Sequence, residues 1–140
     1  MINSTVCLLN VDRKTLFLHR NKDGDMHYTY HVPPRGRTER RERGIDCIMR
    51  EFKEETGLTL INPKLKVIAT FYNQGRILGR KENPEDWIVE IYKATRYRGK
   101  LKEEHTEAKL KWISDSDILS LRIYPCDMRI LDLCKKRGII

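Results

Sequence analysis

An α/β domain with a mixed β-sheet is what this sequence predicts, and three observations predict it. Apolar-rich runs of strand character recur along the chain. One amphipathic stretch of helical period lies between them, and another closes the C-terminus. No internal repeat, low-complexity tract or linker interrupts the 140 residues, so one domain spanning 1–140 is expected.

The elements follow in order. Thr5–Val11 and Thr15–Arg20 are apolar-rich runs separated by Asp12-Arg13-Lys14, the pattern of a strand hairpin. Asn21–Gly24 is polar and turn-like. Met26–Val32 reads as another strand, ended by Pro33-Pro34, since proline cannot donate to a ladder. Gly36–Arg43 reads as a polar loop, and five of the nine residues Arg35–Arg43 are arginine. A helix is predicted from about Gly44 to Thr56, because Ile45, Ile48, Met49 and Phe52 recur at i, i+3, i+4 and i+7 and so share one face. Gly57 stands just past its end, where a left-handed residue commonly closes a helix. Asn62-Pro63 is a turn. Leu65–Tyr72 and Trp87–Tyr97 alternate like strands, and Asn73–Asp86 between them is a long loop with Gly75, Gly79 and Pro84. Leu110–Ile113 reads as a short strand and Asp115–Leu121 as a short helix with Ser114 as its N-cap. The last helix runs from about Asp127 to Arg137. An acid in its first turn and Lys135, Lys136 and Arg137 in its last complement the helix dipole, and Gly138 ends it.

Composition narrows the function. Hydrophobic residues make up 39% and charged residues 34%, which is globular and soluble. A chain of this length buries a core without disulfide staples. No run approaches the roughly 18 apolar residues of a membrane span. Met1–Asn10 has no basic segment or cleavage site of a signal peptide, so a cytoplasmic location with no membrane partner is expected. Cys7, Cys47, Cys126 and Cys134 form no C-x-x-C pair, which argues against a zinc ribbon and for four reduced thiols. The net charge of +8 favours acidic partners, nucleic acid or free phosphate compounds, without choosing between them.

The chemistry concentrates on the first helix. Glu51, Glu54 and Glu55 are spaced i, i+3, i+4, so they share a side away from the apolar stripe, while Arg43, Arg50 and Lys53 project elsewhere. Like charges at i, i+4 cost a few tenths of a kcal/mol. A divalent cation turns that repulsion into attraction, and magnesium, with manganese as a substitute, takes hard carboxylate and phosphate oxygens.

Gly36, five residues, Glu42, seven residues, then Arg50-Glu51-Phe52-Lys53-Glu54-Glu55-Thr56-Gly57-Leu58 resembles the complete box of the Nudix hydrolase superfamily. Seven specified positions across 23 residues are filled. More weakly, nearly the whole chain looks like the MutT-like branch, whose members include enzymes that hydrolyse oxidised purine nucleoside triphosphates.

The resemblance implies an α/β/α sandwich in which the box forms a loop–helix–loop. It assigns metal binding to Glu51, Glu54 and Glu55, and often the general base to Glu51. Glu42 and Arg50 become a structural pair, with Arg50 orienting the carboxylates. The backbone carbonyl preceding the box glycine, here that of Arg35, also binds metal. Glycine is usual at that position, so Arg35 is a departure, and Arg40-Arg41 replaces a common Pro-Gly. Glu107, five residues before Trp112, matches a glutamate that reaches the metal site as ligand or base. Tyr124-Pro125-Cys126-Asp127 resembles a segment that contacts the base, with Tyr124 stacking and Asp127 bonding the base edge. The same segment also reads as a helix start with Tyr124 in the core. A frequent Trp-Asn pair is His31-Val32 here. Arg20, at the end of the second strand, is a candidate phosphate contact. Trp87 and Trp112 read as core or strand residues rather than base platforms.

The implied activity is magnesium-dependent hydrolysis of a nucleoside diphosphate linked to another group. A purine nucleoside triphosphate, such as the oxidised 8-oxo-dGTP, would yield monophosphate and pyrophosphate. Two alternatives stay open. One is a pyrophosphohydrolase of RNA 5′ ends, which the arginine-rich loop suits. The other is a Nudix-fold binding module without catalysis, which the intact carboxylates oppose.

Overall fold

The computed structural model describes residues 2–20, 30–72, 86–102, 108–123 and 125–140, with Arg20 and Ala108 described in backbone alone. The predicted hairpin is formed by β1 (Ile2–Val11) and β2 (Lys14–Arg20), in register Asn10↔Thr15 and Val11↔Lys14. Its two turn residues, Asp12 and Arg13, have φ of 51° and 62°. Two left-handed residues are what a tight hairpin turn needs to match the twist of its strands. β3 is only His31–Val32, paired to β2, with Pro33 following. The expected strand and turn across residues 21–29 lie outside the described residues.

The expected loop at Gly36–Arg43 begins instead as a strand. β4 (Arg35–Arg37) pairs antiparallel with β1, placing Gly36 opposite Thr5 and Arg35 opposite Val6. Three residues, two of them arginine, carry no period that a sequence pattern could reveal. α1 then spans Gly44–Thr56, as the apolar stripe predicts, and Gly57 closes it at φ 83° with its N–H donating to the Lys53 carbonyl. After it come β5 (Thr59–Leu60), β6 (Lys64–Phe71), β7 (Trp87–Ala94), β8 (Tyr97–Arg98) and β9 (Ala108–Ser114). The single strand expected over Trp87–Tyr97 is thus two pieces. Of the loop expected at Asn73–Asp86, residues 73–85 lie outside the described residues. The short helix expected at Asp115–Leu121 is one 3-10 turn, Ile118–Ser120. Ser114 does not cap it, because its hydroxyl donates to the Asp117 carboxylate at 2.8 Å. α2 covers Pro125–Lys136.

The sheet runs β3-β2-β1-β7-β6, with β4 also on β1 and β9 on β2. Among the described strands only β1–β7 is a parallel pair, so the sheet is mixed. Alternation along β1 sorts the core into two layers. Val6 and Leu8 join Phe17, Val89, Ile91 and the α2 residues Ile130 and Leu131 on one face. Cys7 and Leu9 join Leu16, Tyr92 and the α1 residues Ile48 and Phe52 on the other. The two helices therefore flank the sheet, the α/β/α layering. Among the described residues no helix is long and apolar enough to cross a membrane. All four cysteines are free and buried.

Candidate active site

α1 presents Glu51, Glu54 and Glu55 because Ile48 and Phe52, fully buried, anchor its opposite side in the core. β4 supplies the wall facing them. A Cβ placed on Gly36 would fall 2.0 Å from Glu51 Cγ. Only glycine lets the Glu51 side chain lie across the β4 backbone beside Arg35.

Arg50 organises the carboxylates. Its Nε and Nη2 each donate at 2.9 Å to the two oxygens of Glu42, and Nη1 donates at 2.7 Å to Glu51 Oε1. Glu54 Oε2 and Glu39 Oε1 each lie 3.6 Å from the same guanidinium. Arg50, expected to project elsewhere, stands i,i+4 to Glu54 and so neighbours the triad on the helix surface. The forked pair holds the Glu42 carboxyl down at about 2 and raises Arg50 above its already high value. Glu39 was not singled out by sequence reasoning, since a lone loop glutamate carries no signal. Its backbone N–H donates to Glu42 Oε1 at 3.1 Å, which tightens the loop.

Glu55 is half-buried and lines a cleft of about 260 Å³ together with Leu18, Val32, Arg35, Gly36 and Trp87. Glu54 is more open, its side chain 60% exposed. Arg35 keeps an ordinary negative φ, so the departure from glycine costs no backbone strain. Its side chain is 25% exposed, and the guanidinium forms an ion pair through Nη1 with Asp127 Oδ1. Asp127 is 0% exposed, and its Oδ2 has no hydrogen-bond partner among the described residues. Burial pushes the Asp127 carboxyl up to about 6, against the lowering pull of Arg35.

The structure thus brings Arg35, Arg50, Glu51, Glu54 and Glu55 together and adds Asp127 through Arg35. Glu107, Tyr124 and the side chain of Arg20 lie outside the described residues. Trp112 is packed in the α1-side core, tilted against Tyr97 with ring centres 5.9 Å apart. Trp87, the first residue of β7, packs half-buried against the α2-side core as expected and also lines the cleft, with the Arg37 guanidinium 5.1 Å from its ring centre.

The donor set is one a hard cation accepts: carboxylates on one helix face, drawn close to the β4 backbone at Gly36. Among the described residues no three carboxylate, imidazole or thiol groups converge on a point. Arg50 engages Glu51 and approaches Glu54 instead, so a cation would be held by carboxylates turned from this ion-paired arrangement.

The NUDIX domain family matches residues 1–134. The chain belongs to the Nudix family. Nudix hydrolases act on nucleoside diphosphates linked to another group and generally use divalent cations. This Nudix chain is 35% identical over 137 residues to the uncharacterized Nudix hydrolase YvcI of Bacillus subtilis, covering 97% of this chain and 81% of that protein. Its fold is similar to that of a MutT protein from Bacillus halodurans, with TM-score 0.75 and 27% identity over 94% of this chain and 80% of that one. The Nudix domain of Shewanella oneidensis NrtR, solved with ADP ribose, shares the fold at TM-score 0.70 and 14% identity, covering 98% of this chain and 88% of that one.

Proposed function

We propose that this Nudix hydrolase cleaves purine nucleoside triphosphates, oxidised ones such as 8-oxo-dGTP included, to monophosphate and pyrophosphate with magnesium. The observation that carries the reading is that Glu55 and the box glycine Gly36 share one cleft with Trp87. A carboxylate and an aromatic ring lining one cleft suit a ligand with a phosphate chain and a flat base.

Glu51, Glu54, Glu55 and the Arg35 carbonyl would hold the cation, with Glu107 as a further ligand. When bound, magnesium neutralises phosphate oxygens and lowers the pKa of water. Glu51 or Glu107 takes the proton from the attacking water. Arg50 holds Glu51 and lies near Glu54 until a cation draws them, and Gly36 lets Glu51 approach the β4 backbone. Phosphoryl chemistry asks mainly for positioning and charge neutralisation, so no covalent intermediate is required.

A second reading, hydrolysis of RNA 5′ ends, is favoured by one feature. Arg40 and Arg41 are exposed, have no ion pair among the described residues, and border a separate cavity of about 490 Å³. Unpaired arginines there suit backbone phosphates. The deciding experiment is turnover with magnesium on dGTP, 8-oxo-dGTP, dATP, ADP-ribose and 5′-triphosphorylated RNA. Preferred release of pyrophosphate from the purine triphosphates supports the proposal. Cleavage of RNA alone transfers the function to the second reading.

A further inference from the structure

The Arg35–Asp127 pair joins the strand that leads into the box to the second helix. Asp127 is wholly buried and does not itself line the cleft, whereas Arg35 does. Of the donors on the Arg35 guanidinium, Nη1 is turned to Asp127. Nε and Nη2 have no partner among the described side chains. An arginine anchored at one corner by a buried carboxylate presents the rest of its fork in a fixed plane, at little entropic cost on binding. The cleft group that meets a ligand here is therefore a donor, not an acceptor. Beside it the cleft is apolar, with Leu18, Val32 and Trp87.

We propose that Arg35 is a specificity-determining residue whose free donor edge takes acceptor oxygens of the bound nucleotide, and that Asp127 is a positioning residue acting through it. The inference rests on the reading that this cleft holds a nucleotide. The acceptor is either the carbonyl of a 6-oxo purine or a phosphate oxygen. A carboxylate meeting the base edge directly would favour the amino group of a 6-amino purine. A guanidinium favours the 6-oxo purine, because a donor facing an amino group leaves both unsatisfied. The two arrangements thus predict opposite base preferences.

The test is equilibrium binding of GTP, ITP, ATP and pyrophosphate, followed by tryptophan fluorescence with calcium in place of magnesium and repeated in EDTA, with product analysis confirming that the probes stay intact. Wild type, Arg35→Gln, Asp127→Asn and the double variant are compared. Their folding is checked by circular dichroism, and the double variant keeps a neutral, hydrogen-bonding pair where a single change unfolds the protein. Wild type is expected to bind GTP and ITP at least 10-fold more tightly than ATP, with Arg35→Gln erasing the preference and Asp127→Asn adding little in the Arg35→Gln background. An equal loss of 10-fold or more on all four probes identifies the acceptor as phosphate. Unchanged binding in Arg35→Gln, or a preference for ATP lost in Asp127→Asn, overturns the inference while leaving the hydrolase reading intact. Wild type that binds none of the four removes the nucleotide reading and the inference with it.

Discussion

Both oxygens of Glu42 accept from the Nε–Nη2 edge of the Arg50 guanidinium, and that geometry has a consequence in acid. Its folded pKa, about 2, lies below the ordinary 4.5. A depressed carboxylate stabilises the fold above its unfolded pKa and loses that contribution as pH falls through the folded one. The thermal midpoint should therefore drop between about pH 4.5 and 2, and Glu42→Gln should flatten that stretch. A Glu42→Gln profile as steep as wild type would show that other groups carry the acid response. Gly36 acts differently. The atoms a methyl group would strike there belong to the flexible Glu51 side chain, 20% exposed, so the backbone need not move. Gly36→Ala should leave melting nearly unchanged while displacing Glu51, and misplacement of that order costs about 100-fold in turnover. Equal activity in Gly36→Ala would remove Glu51 from the reaction. Both effects hinge on contacts that residue spacing shows only in part. The box positions flagged Gly36, Glu42 and Arg50 as a set. Nothing in the sequence links Arg35 to Asp127, 92 positions away, because an ion pair between distant segments leaves no local period.

At the scale of elements, legibility tracked length and amphipathicity. α1 was read with its observed bounds, since four apolar positions and a closing glycine constrain it together. β4 was missed because its place comes from pairing with β1 rather than from its own residues. β9 extends beyond the expected Leu110–Ile113 to Ala108–Ser114, its added residues held by the β2 ladder, as with Arg20↔Ala108 and Lys14↔Ser114. The hairpin turn offers a test of local strain. Arg13 sits at φ 62°, which a side chain resists and glycine does not. The backbone bond from the Asp115 N–H to the Arg13 carbonyl survives any substitution. Arg13→Gly relieves roughly 1–2 kcal/mol of left-handed strain against about 0.4–1 kcal/mol of added unfolded-chain entropy, so a net stabilisation of about 0.5–1 kcal/mol is expected. A lower melting temperature in that variant would mean the arginine side chain earns more than its strain.

Across the molecule, two cores on opposite faces of one sheet hold Cys134 and Cys7, and a smaller cluster with Leu18 and Val32 holds Cys126. Cys7 and Cys134 lie in different clusters, and burial raises both thiols well above their usual range, Cys134 to about 11. A thiol reagent at pH 8 should react slowly with native protein and release four equivalents on denaturation without reductant, since thiolate supply limits the rate. Rapid reaction of the native protein would contradict this packing. The same layering makes the site possible, because α1 is fixed to the sheet on its apolar side and presents its carboxylates to β4 on the other. The most direct measurement is pyrophosphate release from a purine nucleoside triphosphate during a magnesium titration, comparing wild type with Glu54→Gln and Glu55→Gln. Turnover that requires the metal and falls by about 100-fold or more in both folded variants is the predicted result, a loss of roughly 3 kcal/mol in transition-state stabilisation. Near-normal turnover in either variant, or turnover undiminished in EDTA, would contradict the assignment of these carboxylates to a metal-dependent hydrolase.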